Sequence, residues 1–371
     1  MAEPDWARWL RPGDRLVCSH MSSEPATLLA SLAGAAPGLG LRVMLGVPFS
    51  SAAQALPADC ELLTYGGMGS ASALMRSHAV RISPLPYSRS AEVYESGAWA
   101  CDVALLSLAR DARGGLWLGA SHGPALAAAR RARHVIAQVN ASAPCVPGAP
   151  WPEDLRLDAV IETDHAPAPH QDTAPDAVEQ AIGQHIAALV PDGACLQMGI
   201  GSVPSAALAA LRGHRHLGVH SGMVSDAVLD LIEAGVVDHS RKTRDAGVAV
   251  VGAVVGSERL YRFADGNPSI ALRDPAATHG LATVAAQAGF FSLNSAIEVD
   301  LLGHVNAETV PTADGRWRVV GGQGGLGDFV RAAVAAPRGQ SVIALPSRTP
   351  RGQARIVARL GGPCTVAASD V

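Results

Sequence analysis

The amino-acid sequence predicts an α/β protein made of two related domains with largely parallel sheets. Three observations carry that expectation. A strand–turn–helix unit near the N-terminus repeats in the second half at a constant offset of 179 residues. Short apolar strand-like runs alternate with helical patterns along the chain, the signature of strand–helix–strand units. Between the halves lies Ala166-Pro-Ala-Pro-His-Gln-Asp-Thr-Ala-Pro175, whose proline-rich polar composition is that of a linker. The boundaries that follow are 1–170 and 176–371.

The first copy of the unit runs from Gly13 to Gly34 and the second from Asp192 to Gly213. Pro25 falls on Pro204, Leu32 on Leu211 and Gly34 on Gly213. Each copy reads as a buried strand, a turn, a proline near a helix start, an amphipathic helix and a glycine stop. A further strand follows in each half, over Leu41–Val47 and over His216–His220. After the linker, Asp176 stands three residues before Glu179, a capping box. Val178, Ile182, Ile186 and Leu189 then recur at helical spacing, and Pro191-Asp-Gly193 ends that helix. Beyond the strand at His216–His220, Ser225 or Asp226 can cap a helix whose inner face is Val228, Leu229 and Ile232. Ligands of such folds bind beyond the carboxyl ends of strands, which draws attention to three turns: Gly199–Gly201, Gly222–Met223 and Gly321–Gly327.

Composition narrows the chemistry. The 371 residues are 48% apolar and 17% charged, which fits two globular domains. A net charge of -4 provides no electrostatic basis for binding nucleic acid. Lys242 is the only lysine, so no phosphate-binding GxxxxGK[ST] loop exists and only one Schiff-base lysine is available. The six cysteines are scattered without a CxxC pair, so neither a zinc site nor a disulfide framework follows. The acidic start Met1-Ala-Glu-Pro-Asp is not a signal peptide, and no apolar run reaches membrane-spanning length. A reducing cytoplasm is the compartment these features imply, with no role for membrane or metal.

Two short patterns suggest other enzymes. Gly322, Gly324 and Gly327 spell GxGxxG between an apolar strand and a helix. A dinucleotide site needs an acidic residue about 20 positions on, and the chain has none between Asp328 and Asp370. Gly119-Ala-Ser121-His-Gly123 fits the GxSxG elbow of serine hydrolases, a cheap match in a chain with 39 glycines.

Five ordered segments carry a resemblance. They are Cys195-Leu-Gln-Met-Gly-Ile-Gly-Ser-Val-Pro204; Leu217-Gly-Val-His-Ser-Gly-Met-Val-Ser-Asp226; Ser257-Glu-Arg-Leu-Tyr-Arg-Phe-Ala-Asp-Gly-Asn-Pro268; Asn294-Ser-Ala-Ile-Glu-Val-Asp-Leu-Leu-Gly-His-Val-Asn306; and Gly321-Gly-Gln-Gly-Gly-Leu-Gly-Asp-Phe-Val-Arg331. Together they resemble the acetyl-CoA hydrolase/transferase family, the class I CoA-transferases of 4-hydroxybutyrate and butyrate type. The resemblance implies two NagB/RpiA-like α/β domains, coenzyme A or an acyl-CoA as substrate with no tightly bound cofactor, a carboxylic acid as possible second substrate, and a homodimer or higher homo-oligomer. It also implies further helices beyond Val371.

In that family a glutamate in the second segment attacks the thioester. Here its position holds Gly222. The expected consequence is space beside Gly222, open to a water or a larger acyl group. Glutamyl-anhydride transfer gives way to thioester hydrolysis, another reaction on the acyl group such as decarboxylation, transfer through a substitute nucleophile, or a catalytically silent CoA-binding paralogue. The resemblance places the backbones of Gly322, Gly324 and Gly325 against CoA, with Gly324 and Gly325 as oxyanion donors. Gly199, Gly201, Gly222 and Met223 are the remaining binding candidates; tight packing explains the Gly199–Gly201 turn equally well. Glu298, with Asn294 beside it, is the acid that could act as a base, against the plainer role of structural partner. His220, at a strand end, is either a base or a hydrogen-bonded packing residue.

Overall fold

A computed structural model describes residues 4–170, 173–312 and 314–371; Gln171 and Asp172 of the expected linker lie outside the described residues. The backbone forms two large, mostly parallel sheets. The first contains β1 (Arg15–Cys18), β2 (Arg42–Gly46), β3 (Glu61–Thr64), β4 (Val80–Ile82), β5 (Val103–Arg110), β6 (Leu116–Trp117), β7 (His134–Asn140) and β8 (Ala159–Thr163). Their order is β4-β3-β2-β1-β5-β7-β8, with the short β6 antiparallel to β5. The second large sheet contains β9 (Cys195–Met198), β10 (Gly218–Ser221), β11 (Ala249–Val251), β12 (Ile270–Leu272) and β13 (Phe290–Ser295), followed by β14 (Glu298–Asp300), β15 (Val305–Asn306), β16 (Thr309–Pro311) and β17 (Trp317–Val319) outside it, and then β18 (Gln340–Ala344) within it. Its order is β12-β11-β10-β9-β13-β18. β14, β15 and β19 (Ile356–Val357) make a small separate sheet, and β16 pairs with β17.

The two large sheets follow one plan. In each, the first strand is central, the next three step outward on one side, and the chain returns to the other side of the first. The repeat read from the sequence lies at their centres: β1 leads to the helix Ala26–Ala35, and β9 to the helix Ser202–Ala210. Gly34 falls inside the last turn of its helix rather than after it.

Both faces of the first sheet are covered, which is why its strands read as continuous apolar runs. Alternation along β1 sends Leu16 and Cys18 into one core, with Trp6, Trp9 and Leu28, and Val17 into the other. That second core continues without a break into Leu196, Val219, Val251 and Leu272 of the other sheet. Asp176 and Glu179 form the expected capping box, each carboxylate accepting from the other residue's backbone N–H at 2.9 and 3.0 Å. Only part of that helix's periodicity points inward: Ile186 is buried, but Val178 is 55% exposed. The helix Asp226–Glu233 starts at Ser225 without a side-chain cap. Asp226 instead accepts from the Ser257 N–H at 2.7 Å and its hydroxyl at 2.6 Å.

The halves meet at the ends of their sheets. Ser121 bridges to Ala253 in antiparallel fashion, His122 N–H donates to Gly252 O at 3.0 Å, and Val254 N–H donates to Ala120 O at 2.7 Å. Gly67 N–H donates to Gly321 O at 2.8 Å and Tyr87 N–H to Gly324 O at 3.0 Å. No helix among the described residues is long and apolar enough to cross a membrane.

Candidate active site

Gly222 follows β10 directly, at the carboxyl end of a strand flanked by β9 and β11. The sequence reading expected open space beside it. The structure corrects this: the imidazole of His279 fills that place. A Cβ on Gly222 would stand 2.8 Å from His279 Nε2 and 3.0 Å from Cε1, well inside normal contact of about 3.5–4.0 Å. Across the ring, a Cβ on Gly325 would lie 2.6 Å from the same Nε2. The ring is therefore held between two glycine backbones. It also packs on Tyr87, at 4.6 Å between centroids, and on Phe329, at 4.4 Å.

His279 reaches this position from the last residue of a one-turn helix, Pro275–His279. Pro275 opens that helix and Asp274 caps it, its carboxylate accepting from Ala277 N–H at 2.8 Å. The helix packs against the turn Tyr87–Arg89 from the first half. That turn is fixed in its own right, because the buried Asp328 accepts from Ser88 N–H at 3.0 Å and Ser88 hydroxyl at 2.9 Å. Burial is the main cause raising the Asp328 carboxyl above its usual range.

The glycine run has mixed roles. A side chain at Gly322 would strike the Tyr65 backbone of the first half, so this glycine serves the junction of the halves, whereas one at Gly321 would strike the Ala307 backbone of its own half. Gly325 makes room for His279. Gly324 is different: its φ is +47° and the nearest atom to an added Cβ is 3.9 Å away. At Gly324 an added side chain would meet open space rather than a neighbour. The next helix, Leu326–Ala335, begins directly after it at the N-cap Gly325, so the helix dipole favours negative charge at this spot.

The Gly199–Gly201 turn ends β9 and opens the following helix. An added Cβ meets nothing within 4 Å at Gly199 and only Pro204 Cδ, at 4.0 Å, at Gly201. Gly199, Met223 and Ser221 line a cavity of only about 10 Å³, close to the least that admits one water. Ser221 knits the strand ends together: its hydroxyl donates to Met198 O at 3.1 Å and accepts from Met198 N–H at 3.3 Å and Met223 N–H at 3.5 Å.

The titratable candidates fall into structural settings. His220 Nε2 donates to Ala277 O at 3.2 Å. Burial, then the Lys242 charge, pushes its pKa down to about 4. Glu298 lies in the small three-stranded sheet and accepts from Asn306 Nδ2 at 3.0 Å. Asn294 joins a buried polar cluster, donating to Gln197 Oε1 at 3.1 Å and to Ser292 Oγ at 2.9 Å. Lys242 is a buried clamp: its ammonium donates to Val219 O at 2.9 Å and Val248 O at 2.6 Å. Ser121 of the GxSxG pattern is buried, with no partner on its hydroxyl, so it lacks the bonded base of an activated serine. The backbones of Gly222 and Gly325 come together around His279, with Gly324 adjacent to it in the chain. Sequence reading did not find His279 or Tyr87, because neither carries a local pattern and both arrive from distant segments.

Residues 256–371 match the family model described as acetyl-CoA hydrolase/transferase C-terminal domain. Over 253 residues the chain is 34% identical to the 4-hydroxybutyrate coenzyme A transferase of Clostridium kluyveri, covering 68% of this chain and 58% of that protein. The crystal structure of RipA from Yersinia pestis superposes with a TM-score of 0.87 at 27% identity, covering 97% of this chain and 84% of that one. The crystal structure of 4-hydroxybutyrate CoA-transferase from Porphyromonas gingivalis gives 0.78 at 28% identity, covering 96% and 83%. The chain spans a little over half the length of the curated transferases it matches.

Proposed function

We propose that this chain, which belongs to the acetyl-CoA hydrolase/transferase family, binds an acyl-CoA at the turn Gly199–Gly201 and at Gly324–Gly325 and releases CoA by water-mediated hydrolysis of the thioester. The observation that carries the reading is the pairing of Gly222 with Gly324. Gly222 has no carboxylate to form a mixed anhydride, so the covalent route to a second acid has no attacking atom there. Gly324 and Gly325 remain at a helix N-terminus, where backbone N–H groups stabilise a developing oxyanion without any side chain. Glu298 does not substitute in this reading, because Asn306 engages its carboxylate in a separate sheet.

The substrate is a CoA thioester of a short acid, by similarity to the transferases. The test is incubation of the protein with acetyl-, butyryl- and 4-hydroxybutyryl-CoA. Free thiol is followed with a chromogenic reagent, binding by calorimetry and covalent state by intact-protein mass spectrometry. The reading expects binding, CoA release and no adduct. Binding without release would leave a silent CoA-binding paralogue, and absence of binding would remove the reading altogether.

A further inference from the structure

We infer that His279 is the catalytic base of this site, accepting the proton of the attacking water through Nε2. The inference rests on the hydrolytic reading above.

The argument begins with a tautomer. Thr278 has one hydroxyl proton, and two atoms lie within its reach: the Asp274 carbonyl oxygen at 3.0 Å and His279 Nδ1 at 2.8 Å. A carbonyl oxygen can only accept. The Thr278 proton therefore goes to Asp274 O, and the hydroxyl oxygen accepts from His279 Nδ1–H. The proton of the neutral ring is thus on Nδ1, and Nε2 carries a lone pair. Burial, reinforced by the nearby His220, lowers the pKa of this ring to about 3; the ring is therefore neutral at neutral pH, and it is a weak base until negative charge developing on the bound thioester raises its pKa.

Nε2 stands between the backbones of Gly222 and Gly325, 2.8 and 2.6 Å from where a Cβ on each would lie. It lies 2.8 Å from where the first carbon of a side chain on Gly222 would be, so a ring nitrogen stands beside the place from which this loop would present a reactive group. The ring cannot swing freely, because Tyr87 and Phe329 pack on it and Thr278 holds Nδ1. Such a fixed acceptor, oriented by a third group, is what general-base chemistry needs.

The step balances without another reactant. Water oxygen bonds to the thioester carbon as its proton passes to Nε2. The carbonyl oxygen takes negative charge beside the Gly324 and Gly325 amides. On collapse the C–S bond breaks, and the departing thiolate takes the proton from Nε2. The products are a carboxylic acid and CoA thiol.

The same geometry also fits a ring that only plugs the site, and chemistry separates the two. His279→Ala and His279→Gln are compared with the native protein for CoA release and for acyl-CoA affinity, with circular dichroism to confirm folding. The expected result is a loss of at least about 100-fold in kcat, affinity within a few-fold of native, and partial recovery of His279→Ala on adding free imidazole. Thr278→Val, which removes the Nδ1 partner, should lower kcat less. Turnover that survives both His279 substitutions would overturn the assignment while leaving hydrolysis intact. A native protein that binds acyl-CoA but never releases CoA would overturn it too. No binding of any acyl-CoA would instead remove the reading on which it rests.

Discussion

Replacing Gly222 with glutamate supplies the carboxylate that the family resemblance leads one to expect in this loop, and here it should fail alone. The new Cβ would stand 2.8 Å from His279 Nε2, 3.0 Å from Cε1 and 3.6 Å from Phe329 Cε2. Relieving the first contact requires a shift of roughly 0.7–1.2 Å toward normal packing distance. The imidazole has nowhere easy to go, since Tyr87, Phe329, Gly325 and Thr278 surround it. Overpacking of this kind costs about 1–3 kcal/mol. His279→Ala removes a buried ring and costs about 2–4 kcal/mol by analogy with other large-to-small core changes. Because each change relieves the fault of the other, the double variant should be more stable than the sum of the singles by about 1 kcal/mol or more. Urea unfolding followed by fluorescence and circular dichroism measures the cycle. The double variant, incubated with acyl-CoA, should also gain the mass of a glutamyl–CoA adduct that borohydride reduces. A neutral Gly222→Glu single variant, or strict additivity of the pair, would refute the packing argument.

Three further outcomes follow from the same geometry. His20, His220, His239 and His279 are buried, and burial depresses their pKa values to about 4, 4, 4 and 3. The unfolded chain takes up these protons first, so stability is full above about pH 6.5 and falls as pH drops toward 4, by up to about 1.4 kcal/mol per pH unit per histidine; thermal melting across pH 7 to 4 should show the decline, and a flat profile would contradict it. Lys242→Met leaves the carbonyls of Val219 and Val248 without their donor and should destabilise by about 1–3 kcal/mol in urea unfolding. Gly324→Val puts a β-branched residue at φ +47°, crowding the open side of the loop; acyl-CoA affinity measured by calorimetry should drop at least about ten-fold.

The sequence revealed the parts of the molecule governed by local pattern. The offset of 179 residues predicted matching strand–helix units, and β1 and β9 with their helices are the centres of two sheets built on one plan. Asp176 and Glu179 predicted a capping box, and the structure contains it. The five ordered motifs predicted the family that the comparisons establish. What stayed hidden depends on contacts between distant segments. A glycine in place of an acid reads as vacant space in one dimension. In three, a histidine from the Pro275–His279 helix and a tyrosine from the first half converge on it. The same limit applies to Gly321 and Gly322. Their pattern fits ligand approach, and only the packing shows that the room at Gly322 is needed by Tyr65 of the first half and that at Gly321 by Ala307 of its own half. Val178 illustrates a smaller version of the limit, since helical spacing identified a stripe without showing how much of it would find a partner.

The most direct test of the account is a crystal structure with a non-hydrolysable thioether analogue of an acyl-CoA. The account predicts the acyl carbonyl oxygen within about 2.7–3.1 Å of the Gly324 or Gly325 amide nitrogen. It also predicts an ordered water between the acyl carbon and His279 Nε2. An analogue bound away from both glycines, or an acyl carbon placed against Glu298 with His279 out of reach, would contradict it.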